Sequence, residues 1–532
     1  MRSAYNNLNT IASITLPRVL TQICRDPDSP AYGSCDRNWW HYKIRDFSSI
    51  ILQQAGYLLF CASELPMYET RREPLRKLAA ASCTFWNARA QKARAFEEYY
   101  PWEEGYPPVA FSALGVSKLI AESIVDIESV RHGIEKAAEQ LQSRFEEKAS
   151  NQQLAGTAAL CWIRKLAPEL VDGKTLESIC TRILEAQEDE GWFPEYGGPD
   201  LGYLSVSIDC LWDAYDATGD ERFLNSAKKA LGFIDEFSHF PTPGLGMHNA
   251  RNTDYLVPYG VSRFLNLAET KQQASRILES YFGKGLAEDH FLAAIDDRYY
   301  SHYYGHSVYR SLTHIRKAIK EETHSTKRQS KSHHLSKSGY YIHNESEIFQ
   351  ALVSCRKGGI ITMWFGNARA SDYGWTVKRG HLSIVSHWWE DFWVSEISSN
   401  EVLVTGMLTP HKENESTPLK HALLRISSLI LGHRLIGILK EKLIFKTKSR
   451  KQLPFSRKIT FNEESISIED QITVPEKFEL VRSPRSSKRH VASADSYHIE
   501  DLVLVDPALE MEETRADSGE TVIVHTTYRL KR

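Results

Sequence analysis

The chain has 532 residues, more than one hydrophobic core normally serves, so we expect at least two domains. Its 42% hydrophobic and 25% charged residues are ordinary for a globular protein, and a formal net charge of −3 argues against a general attraction to nucleic acid. No apolar run of about 18 residues is present, so we expect no membrane span. The N-terminus lacks the continuous apolar core of a signal peptide.

The eight cysteines form neither a CxxC pair nor a zinc-binding spacing with histidine. Most of them lie among apolar residues with helical spacing, where a free cysteine behaves as a small hydrophobic side chain. These features favour a reducing, cytoplasmic location. Cys24 and Cys35 flank a short loop, and the sequence leaves open whether they pair.

Residues 1–45 are predicted to form an N-terminal arm. Spaced Ile, Leu and Val predict a modest amphipathic helix that packs on the domain, followed by a loop dense in turn formers. That loop leads to Arg37, Trp39 and His41, a mixture that can line a polar, aromatic cleft and bind substrate. The same residues can instead clamp the arm onto neighbouring helices.

Residues 46–322 have the pattern of paired helices, with apolar side chains recurring at helical spacing. Long loops rich in Gly, Pro and aromatic residues follow every second helix. Because one such pair cannot bury its apolar face alone, it stacks on its neighbours. We therefore expect an incomplete (α/α) toroid with its long loops around a cleft at one end. An open superhelix of the TPR or HEAT type is the alternative, but no regular repeat length supports it.

The loop 187–203 has the most unusual sequence of the chain, QEDEGWFPEYGGPDLGY. Its glycines widen the backbone choices and its prolines stiffen it, which is typical of a functional loop on a rigid scaffold. The alternative is a structural turn that plugs the end of the helical bundle. Candidate substrate-binding residues in this loop and in the preceding long loop, 97–108, are Glu104, Trp192, Glu195, Tyr196 and Asp200, and Tyr203 is a candidate catalytic residue.

A fourth long loop, GMHNARNTDYLVPYG, brings His, Asn, Arg and Tyr together. These residue types suit β-elimination of a uronic acid. Asn and Arg can bind the carboxylate, a His or Tyr can remove the proton from C5, and a Tyr can protonate the departing oxygen. A tyrosine base would need its pKa lowered by a neighbouring arginine. The candidate catalytic residues here are His248, Asn249, Arg251, Asn252 and Tyr255, and Tyr259 is a candidate substrate-binding residue.

Residues 323–338 are polar and basic and predict an exposed linker. From residue 339 to 532 the texture changes to short segments rich in Val, Ile, Thr and aromatics, which predicts an antiparallel β-sandwich. The segments assigned to strands include LLRISSLILG and LIGILKEKLIFKT. The basic run 440–458 is interpreted as a solvated face, with contact to an anionic polymer as the alternative.

A helical toroid followed by an antiparallel β-sandwich resembles the polysaccharide lyases of the heparinase II/III, chondroitin, hyaluronate and alginate lyase type. The GWFPEYGG and HNARNTDY loops are similar to segments of heparinase II/III-like proteins of bacterial polysaccharide gene clusters. The resemblance implies that an Asn and a Tyr of the toroid act with a His, for which His381 and His387 of the sandwich are further candidates. The sequence departs from that family where a Gly-His-x-His-Ala-Asp-like motif opens the sandwich, since it has SDYGWTVKRGHLSIVSHWW there.

The resemblance implies a lyase acting on a uronic-acid-containing polysaccharide, and two other functions stay open. One is an inverting glycoside hydrolase on an (α/α) barrel, with Glu104, Glu195, Asp200 or Asp209 as its paired carboxylates. The other is a non-catalytic polysaccharide-binding or assembly protein of an exopolysaccharide or capsule pathway. No cofactor motif is visible, although the acidic loops offer oxygen ligands of the kind that a divalent cation takes. The polymer, the cleavage mode and the oligomeric state are not fixed by the sequence.

Overall fold

The structure is a computed structural model that describes residues 1–92, 95–240, 245–284, 295–320, 331–344, 346, 348–412, 416–439, 453–485 and 499–531. Its helices are Arg2–Gln22 (α1), Arg37–Trp40 (α2), Gln54–Ser63 (α3), Arg72–Ala90 (α4), Tyr106–Ala121 (α5), Ile127–Ser143 (α6), Ser150–Leu166 (α7), Gly173–Glu185 (α8), Leu201–Thr218 (α9), Glu221–Asp235 (α10), Tyr259–Arg263 (α11), Lys271–Phe282 (α12), Asp297–Tyr299 (α13), Gly305–Lys320 (α14), Pro418–Leu431 (α15) and His433–Leu439 (α16).

Burial separates the helices of the N-terminal domain into two layers. Helices α5, α7 and α9 are buried over most of their length, whereas α6, α8 and α10 bury one apolar stripe and expose the opposite face. Contacts run from α3 through α5, α7, α9, α11 and α14 back to α3, so the inner layer closes into a ring. Helix α1 packs on α12 and α14 and shares their hydrophobic core. The expected (α/α) toroid is confirmed, and α1 belongs to its outer layer.

Charged side chains fill the centre of the ring, below the long loops. Lys118 of α5 and Arg310 of α14 both donate to the carboxylate of Asp213 on α9, and all three side chains are at most 9% exposed. Burial acts to raise the pKa of Asp213, but the two cations outweigh it and hold that pKa well below its usual range. The cavity beside them measures about 20 Å³, which is room for about one water molecule and not for a sugar ring.

The C-terminal domain consists of antiparallel strands. They are His333–Leu335 (β1), Tyr340–His343 (β2), Phe349–Ser354 (β3), Ile360–Phe365 (β4), Ala368–Asp372 (β5), Trp375–Arg379 (β6), Leu382–Val385 (β7), Val394–Ile397 (β8), Glu401–Lys412 (β9), Leu453–Phe461 (β10), Ser465–Thr473 (β11), Glu479–Arg482 (β12), Leu509–Ser518 (β13) and Thr521–Leu530 (β14). One sheet has the order β1-β2-β3-β4-β5, and the other has the order β12-β6-β7-β9-β10-β11-β14-β13 with β8 beside β9. Apolar side chains of both sheets meet in one core, as a sandwich requires.

Two segments that the sequence assigned to strands are helical. LLRISSLILG lies in α15, and the start of LIGILKEKLIFKT lies in α16. The side chain of Thr417 caps α15 by accepting from the Lys420 backbone N–H at 3.3 Å, and Pro418 occupies the first turn. An N-cap threonine followed by proline is a strong helix start. The rest of that segment and residues 440–452 of the basic run lie outside the described residues.

Part of the predicted linker belongs to the β-sandwich. Residues 323–330 lie outside the described part of the chain, but 333–335 form β1 and pair with β2. The backbone N–H groups of Lys337 and Ser338 donate to Glu190 at 2.8 and 2.9 Å. The turn between β1 and β2 is therefore attached to the toroid.

A buried ion network joins the two sheets. Arg457 of β10 is fully buried and donates twice to Asp470 of β11, at 2.7 Å for each bond. Its guanidinium also donates to Asp372 of β5 in the other sheet, at 3.0 Å. Burial acts to raise the pKa of Asp372, but Arg457 and Arg482 outweigh it and hold that pKa far below its usual range. The sandwich core therefore depends on charge pairing as well as on apolar packing.

All eight cysteines are buried thiols, so Cys24 and Cys35 do not form a disulfide. No helix in the described ranges has the length and apolar character needed to cross a bilayer. No group of three or more His, Cys, Asp and Glu side chains in these ranges is arranged to hold a metal ion.

We predict that Arg457→Ala lowers the free energy of unfolding by about 3–5 kcal/mol, because it leaves Asp470 as a buried charge without its cation and removes one of the two arginines that bond Asp372. Lys458→Ala is the matched control. It removes the neighbouring ion pair to Glu401, whose two side chains are 45% and 37% exposed, and should cost less than about 1 kcal/mol. Urea unfolding followed by circular dichroism measures both, and equal losses for the two variants would contradict the prediction.

Candidate active site

The loops 187–203 and 245–258 lie side by side and are joined by Asp200. This residue caps α9, where one carboxylate oxygen accepts from the backbone N–H of Tyr203 at 3.2 Å. The other oxygen accepts from the backbone N–H of Arg251 at 3.0 Å. The hydroxyl of Thr253 also donates to this carboxylate. Asp200 therefore fixes both loops through its side chain.

Asn249 reinforces the same junction. Its side-chain oxygen accepts from the Leu201 backbone N–H at 3.0 Å, and its amide donates to the Thr253 carbonyl at 2.7 Å. Between these bonds, the Ala250 backbone N–H donates to the Pro199 carbonyl at 2.8 Å. The Asn249 side-chain amide, which the sequence suggested for binding substrate, is thus bonded to the protein through both its oxygen and its nitrogen. Its catalytic role stays a prediction.

The β-sandwich binds the first half of the loop 245–258. The two ring nitrogens of His248 lie 2.7 Å from the Ser354 hydroxyl and 2.8 Å from the Thr362 hydroxyl. The ammonium of Lys357 donates to the Asn249 carbonyl at 2.8 Å and to the Asn252 side-chain oxygen at 2.7 Å. His248 is therefore an interdomain residue with both nitrogens engaged.

Arg251 and Asn252 carry buried donors that face no protein acceptor. Their residues are 3% and 5% exposed. Among the described residues, no acceptor lies within hydrogen-bonding distance of the Arg251 Nε or the Asn252 Nδ2, and no carboxylate pairs with the Arg251 guanidinium. That guanidinium lies 4.6 Å from the centre of the Tyr196 ring. Since buried donors are nearly always bonded, these two point to a ligand with acceptor oxygens.

Four tyrosines surround the far end of the same loop. The rings of Tyr203 and Tyr255 meet edge to face at 6.0 Å, and the Tyr255 hydroxyl lies 3.1 Å from that of Tyr303. Tyr304 packs on Tyr255 with ring centres 4.5 Å apart. Burial raises the pKa of Tyr255 well above its ordinary value. This hydroxyl therefore keeps its proton at neutral pH, and the lowered tyrosine pKa expected for a base is not found at Tyr255.

A histidine that sequence reasoning missed lies beside these tyrosines. His302 belongs to a π-helical turn, Tyr300–Tyr304, and has non-helical backbone angles of −81° and −149°. It is 2% exposed, and its ring lies 6.1 Å from that of Tyr303. Within the described ranges no hydrogen-bond partner reaches its Nε2. Burial and the charge of Arg298 lower its pKa well below the ordinary value, so the imidazole is held neutral. The run YYSHYY, with a histidine among four tyrosines, was the available signal, and π-turns are frequent at functional sites.

The first two long loops lie at the same end of the toroid. Arg45, which pairs with Asp36 at 2.9 Å, also donates to the Glu98 carbonyl at 3.4 Å. Tyr99 of the second loop is 54% exposed, and the guanidinium of Arg298 lies 5.7 Å from its ring. An exposed tyrosine beside a cation is a suitable platform for a sugar ring.

The predicted binding residues of these loops differ in their surroundings. Arg37 lies 5.1 Å from the Tyr42 ring, and the neighbouring His41 is exposed. Trp39 packs between Phe85 and Arg89 at 5.5 and 4.5 Å, which is the clamp expected as the alternative. Glu104 has a side chain that is 22% exposed, and His433 of α16 lies 4.0 Å away.

The remaining predicted binding residues are buried. Trp192 is 4% exposed and donates to Glu190 at 3.1 Å, so this part of the loop does plug the bundle. Glu195 accepts two bonds from Asn151 at 2.7 and 2.8 Å, and burial raises its pKa to about 8. Tyr259 is the first residue of α11, and the Arg310 guanidinium lies 3.3 Å from the centre of its ring in the charged centre of the toroid.

The sandwich closes over the loop 187–203 next to one of its candidate histidines. A Cβ atom at Gly198 would lie 2.5 Å from the ring of Trp389, so only glycine allows this approach. His387, two residues earlier, is 1% exposed. His381 lies on the exposed turn between β6 and β7, away from this contact.

Comparison with known proteins gives fold-level relatives. No family model matches the sequence, and no curated protein matches it. Xanthan lyase of Paenibacillus superposes with a TM-score of 0.53 and 10% identity over 89% of this chain, which spans only 46% of the length of that enzyme. Chondroitin AC lyase of Streptomyces coelicolor A3, in complex with chondroitin sulphate, gives 0.55 and 9% identity over 99% of this chain and 77% of that one. The expected resemblance to polysaccharide lyases is confirmed for the fold.

We predict that acid weakens the interdomain contact through His248. Burial, Lys357 and Arg369 lower the pKa of this imidazole well below its ordinary value, so the folded protein holds it neutral. Below the unfolded pKa of about 6.5 the unfolded chain binds a proton that the folded one rejects, and stability falls by up to about 1.4 kcal/mol per pH unit. His248→Gln should flatten the slope by about one proton, and His381→Gln should not. Urea unfolding at several pH values measures this, and an unchanged slope in His248→Gln would count against it.

Proposed function

We propose that this protein is a polysaccharide lyase that cleaves a uronic-acid-containing polymer by β-elimination. The observation that carries the proposal is a pair of buried donors on Arg251 and Asn252 that find no acceptor among the described residues, four and three residues before Tyr255 in one loop. A guanidinium and an amide are suited to a carboxylate. The superposition on xanthan and chondroitin AC lyases supports the proposal for the fold alone.

The first step is binding of the uronate carboxylate by Arg251 and Asn252. Their donors draw negative charge onto the carboxylate as the C5 carbanion develops, which lowers the cost of removing that proton. Asp200 fixes the backbone of Arg251, and Lys357 holds the Asn252 side-chain oxygen. These two bonds orient the donors before substrate arrives.

His302 and Tyr255 divide the proton transfers. The neutral imidazole of His302 takes the C5 proton, the C5 electron pair forms the C4–C5 double bond, and the bond from C4 to the glycosidic oxygen breaks. The Tyr255 hydroxyl, whose pKa is raised, gives its proton to that oxygen. Tyr203 packs edge-on against Tyr255 and sets its orientation, while Tyr99 offers a surface for a neighbouring sugar ring.

Hydrolysis by paired carboxylates is a weaker proposal for the same loops. The carboxylate oxygens of Glu195 accept hydrogen bonds from Asn151. Those of Asp200 accept hydrogen bonds from backbone N–H groups. Asp209 accepts from the Gly260 backbone N–H at 2.6 Å inside the toroid. The Glu104 carboxylate lies 4.0 Å from His433, and one carboxylate does not supply both the acid and the base that inversion requires.

We predict that Tyr255→Phe lowers kcat/KM on a uronate polymer by about 10²–10⁴-fold, since it removes the proton donor and keeps the ring. Arg251→Ala should lower it by about 10²–10³-fold through loss of carboxylate stabilisation. Tyr215→Phe is the matched control, because it removes the same atom from a residue that bonds Glu221 at the exposed end of α9. It should leave kcat/KM unchanged.

The assay is a panel of uronate-containing and neutral polysaccharides, followed by both the ultraviolet absorbance of unsaturated uronates and the appearance of reducing ends. Absorbance together with reducing ends supports elimination. Reducing ends without absorbance would establish hydrolysis instead. Binding of a polymer in the panel with neither signal would leave a binding protein as the function.

A further inference from the structure

Helix α15 presents an apolar stripe to solvent. Leu419, Leu423, Ile426 and Ile430 are 69%, 55%, 57% and 69% exposed. Their spacing of four, three and four places them on one face of the helix. Leu429 beside this stripe and Ile438 of α16 are also exposed, at 52% and 42%. Contiguous apolar surface of this kind marks an interaction site.

The opposite face of α15 is polar and attached to the toroid. The buried Ser428 hydroxyl donates to the Pro101 carbonyl at 2.6 Å. Arg425 makes two bonds to Asp46, at 2.8 and 3.0 Å. The helix is therefore held in an orientation that is the reverse of the usual one, with its polar face on the protein and its apolar face outward.

The charge around the stripe indicates what covers it. Apart from Arg425, which bonds Asp46 on the opposite face, residues 418–439 contain Lys420 and Arg434 and no Asp or Glu. In composition, the following residues 440–451 add six Lys and Arg against one Glu. Two copies of this surface would bring like charges together, whereas an apolar stripe edged by cations matches the boundary of an anionic lipid layer.

We propose that α15 and α16 form an interfacial anchor that lies on an anionic phospholipid surface. The apolar stripe enters the boundary between headgroups and acyl chains, and the cations contact the headgroups. Because α15 contacts Asp46 and Pro101, this anchor brings the long loops next to the membrane. The anchor is independent of the reaction proposed above, since it uses none of those residues.

Flotation with vesicles tests the anchor on the full chain. Wild-type protein should float with vesicles of phosphatidylglycerol and phosphatidylcholine, and more than tenfold less with phosphatidylcholine alone. The triple variant Leu423→Glu, Ile426→Glu, Ile430→Glu should lose more than tenfold in partitioning. Leu502→Glu alters a residue that is 74% exposed on the C-terminal domain and should float like the wild type. Circular dichroism and thermal unfolding establish that the triple variant is folded.

Two kinds of result, one from flotation and one from ultracentrifugation, would overturn the anchor. One is wild-type protein that stays with neither kind of vesicle, or a triple variant that floats as well as the wild type. The other is a concentration-dependent dimer, seen by analytical ultracentrifugation, that the triple variant disperses while vesicles bind neither protein. Loss of flotation at high salt would support the contribution of the cations.

Discussion

A buried ammonium holds the two domains in register. Lys357 is 2% exposed and donates to the Met247 and Asn249 carbonyls and to the Asn252 side chain. Because a cation taken out of water costs several kcal/mol unless it is bonded, these oxygens have to stay in place. Asn252 has a φ of 61°, in the left-handed region that asparagine adopts more readily than most residues other than glycine. The placement of Arg251, the neighbouring residue, therefore depends on a lysine of the other domain.

The fold was predictable wherever a helix or strand turns its apolar face to a core. The toroid helices do so, and the periodic spacing of their apolar residues predicted them. The same rule failed at α15, because its apolar stripe points to solvent and a short Leu- and Ile-rich run does not by itself separate a helix from a strand. The local signal was present in Thr417 and Pro418, the cap and first turn of that helix. Propensity at the start of the element was more informative there than its hydrophobic pattern.

The proximity of the long loops was predictable from the sequence, but the bonds that their side chains make were predictable only in part. Composition identified the four long loops, and the structure brings them to one end. It did not show that His248 bonds Ser354 and Thr362, which are 106 and 114 residues away, since such pairing leaves no local pattern. The capping role of Asp200 was readable, because Asp directly before a helix is a common N-cap. Residue types alone predict too many site residues, because the same polar side chains also form the hydrogen bonds that hold the loops together.

One physical cause, desolvation, assigns the acid and the base of the proposed reaction. Burial raises the pKa of Tyr255 and lowers that of His302, so the phenol keeps its proton and the imidazole stays free to take one. The guanidinium that could have lowered a tyrosine pKa lies against Tyr196. A substrate carboxylate bound beside this cluster adds negative charge, which raises the pKa of the imidazole and makes it the stronger base. The bound substrate would thus raise the pKa of the base that acts on it. Without a uronate, the imidazole would stay a weak base.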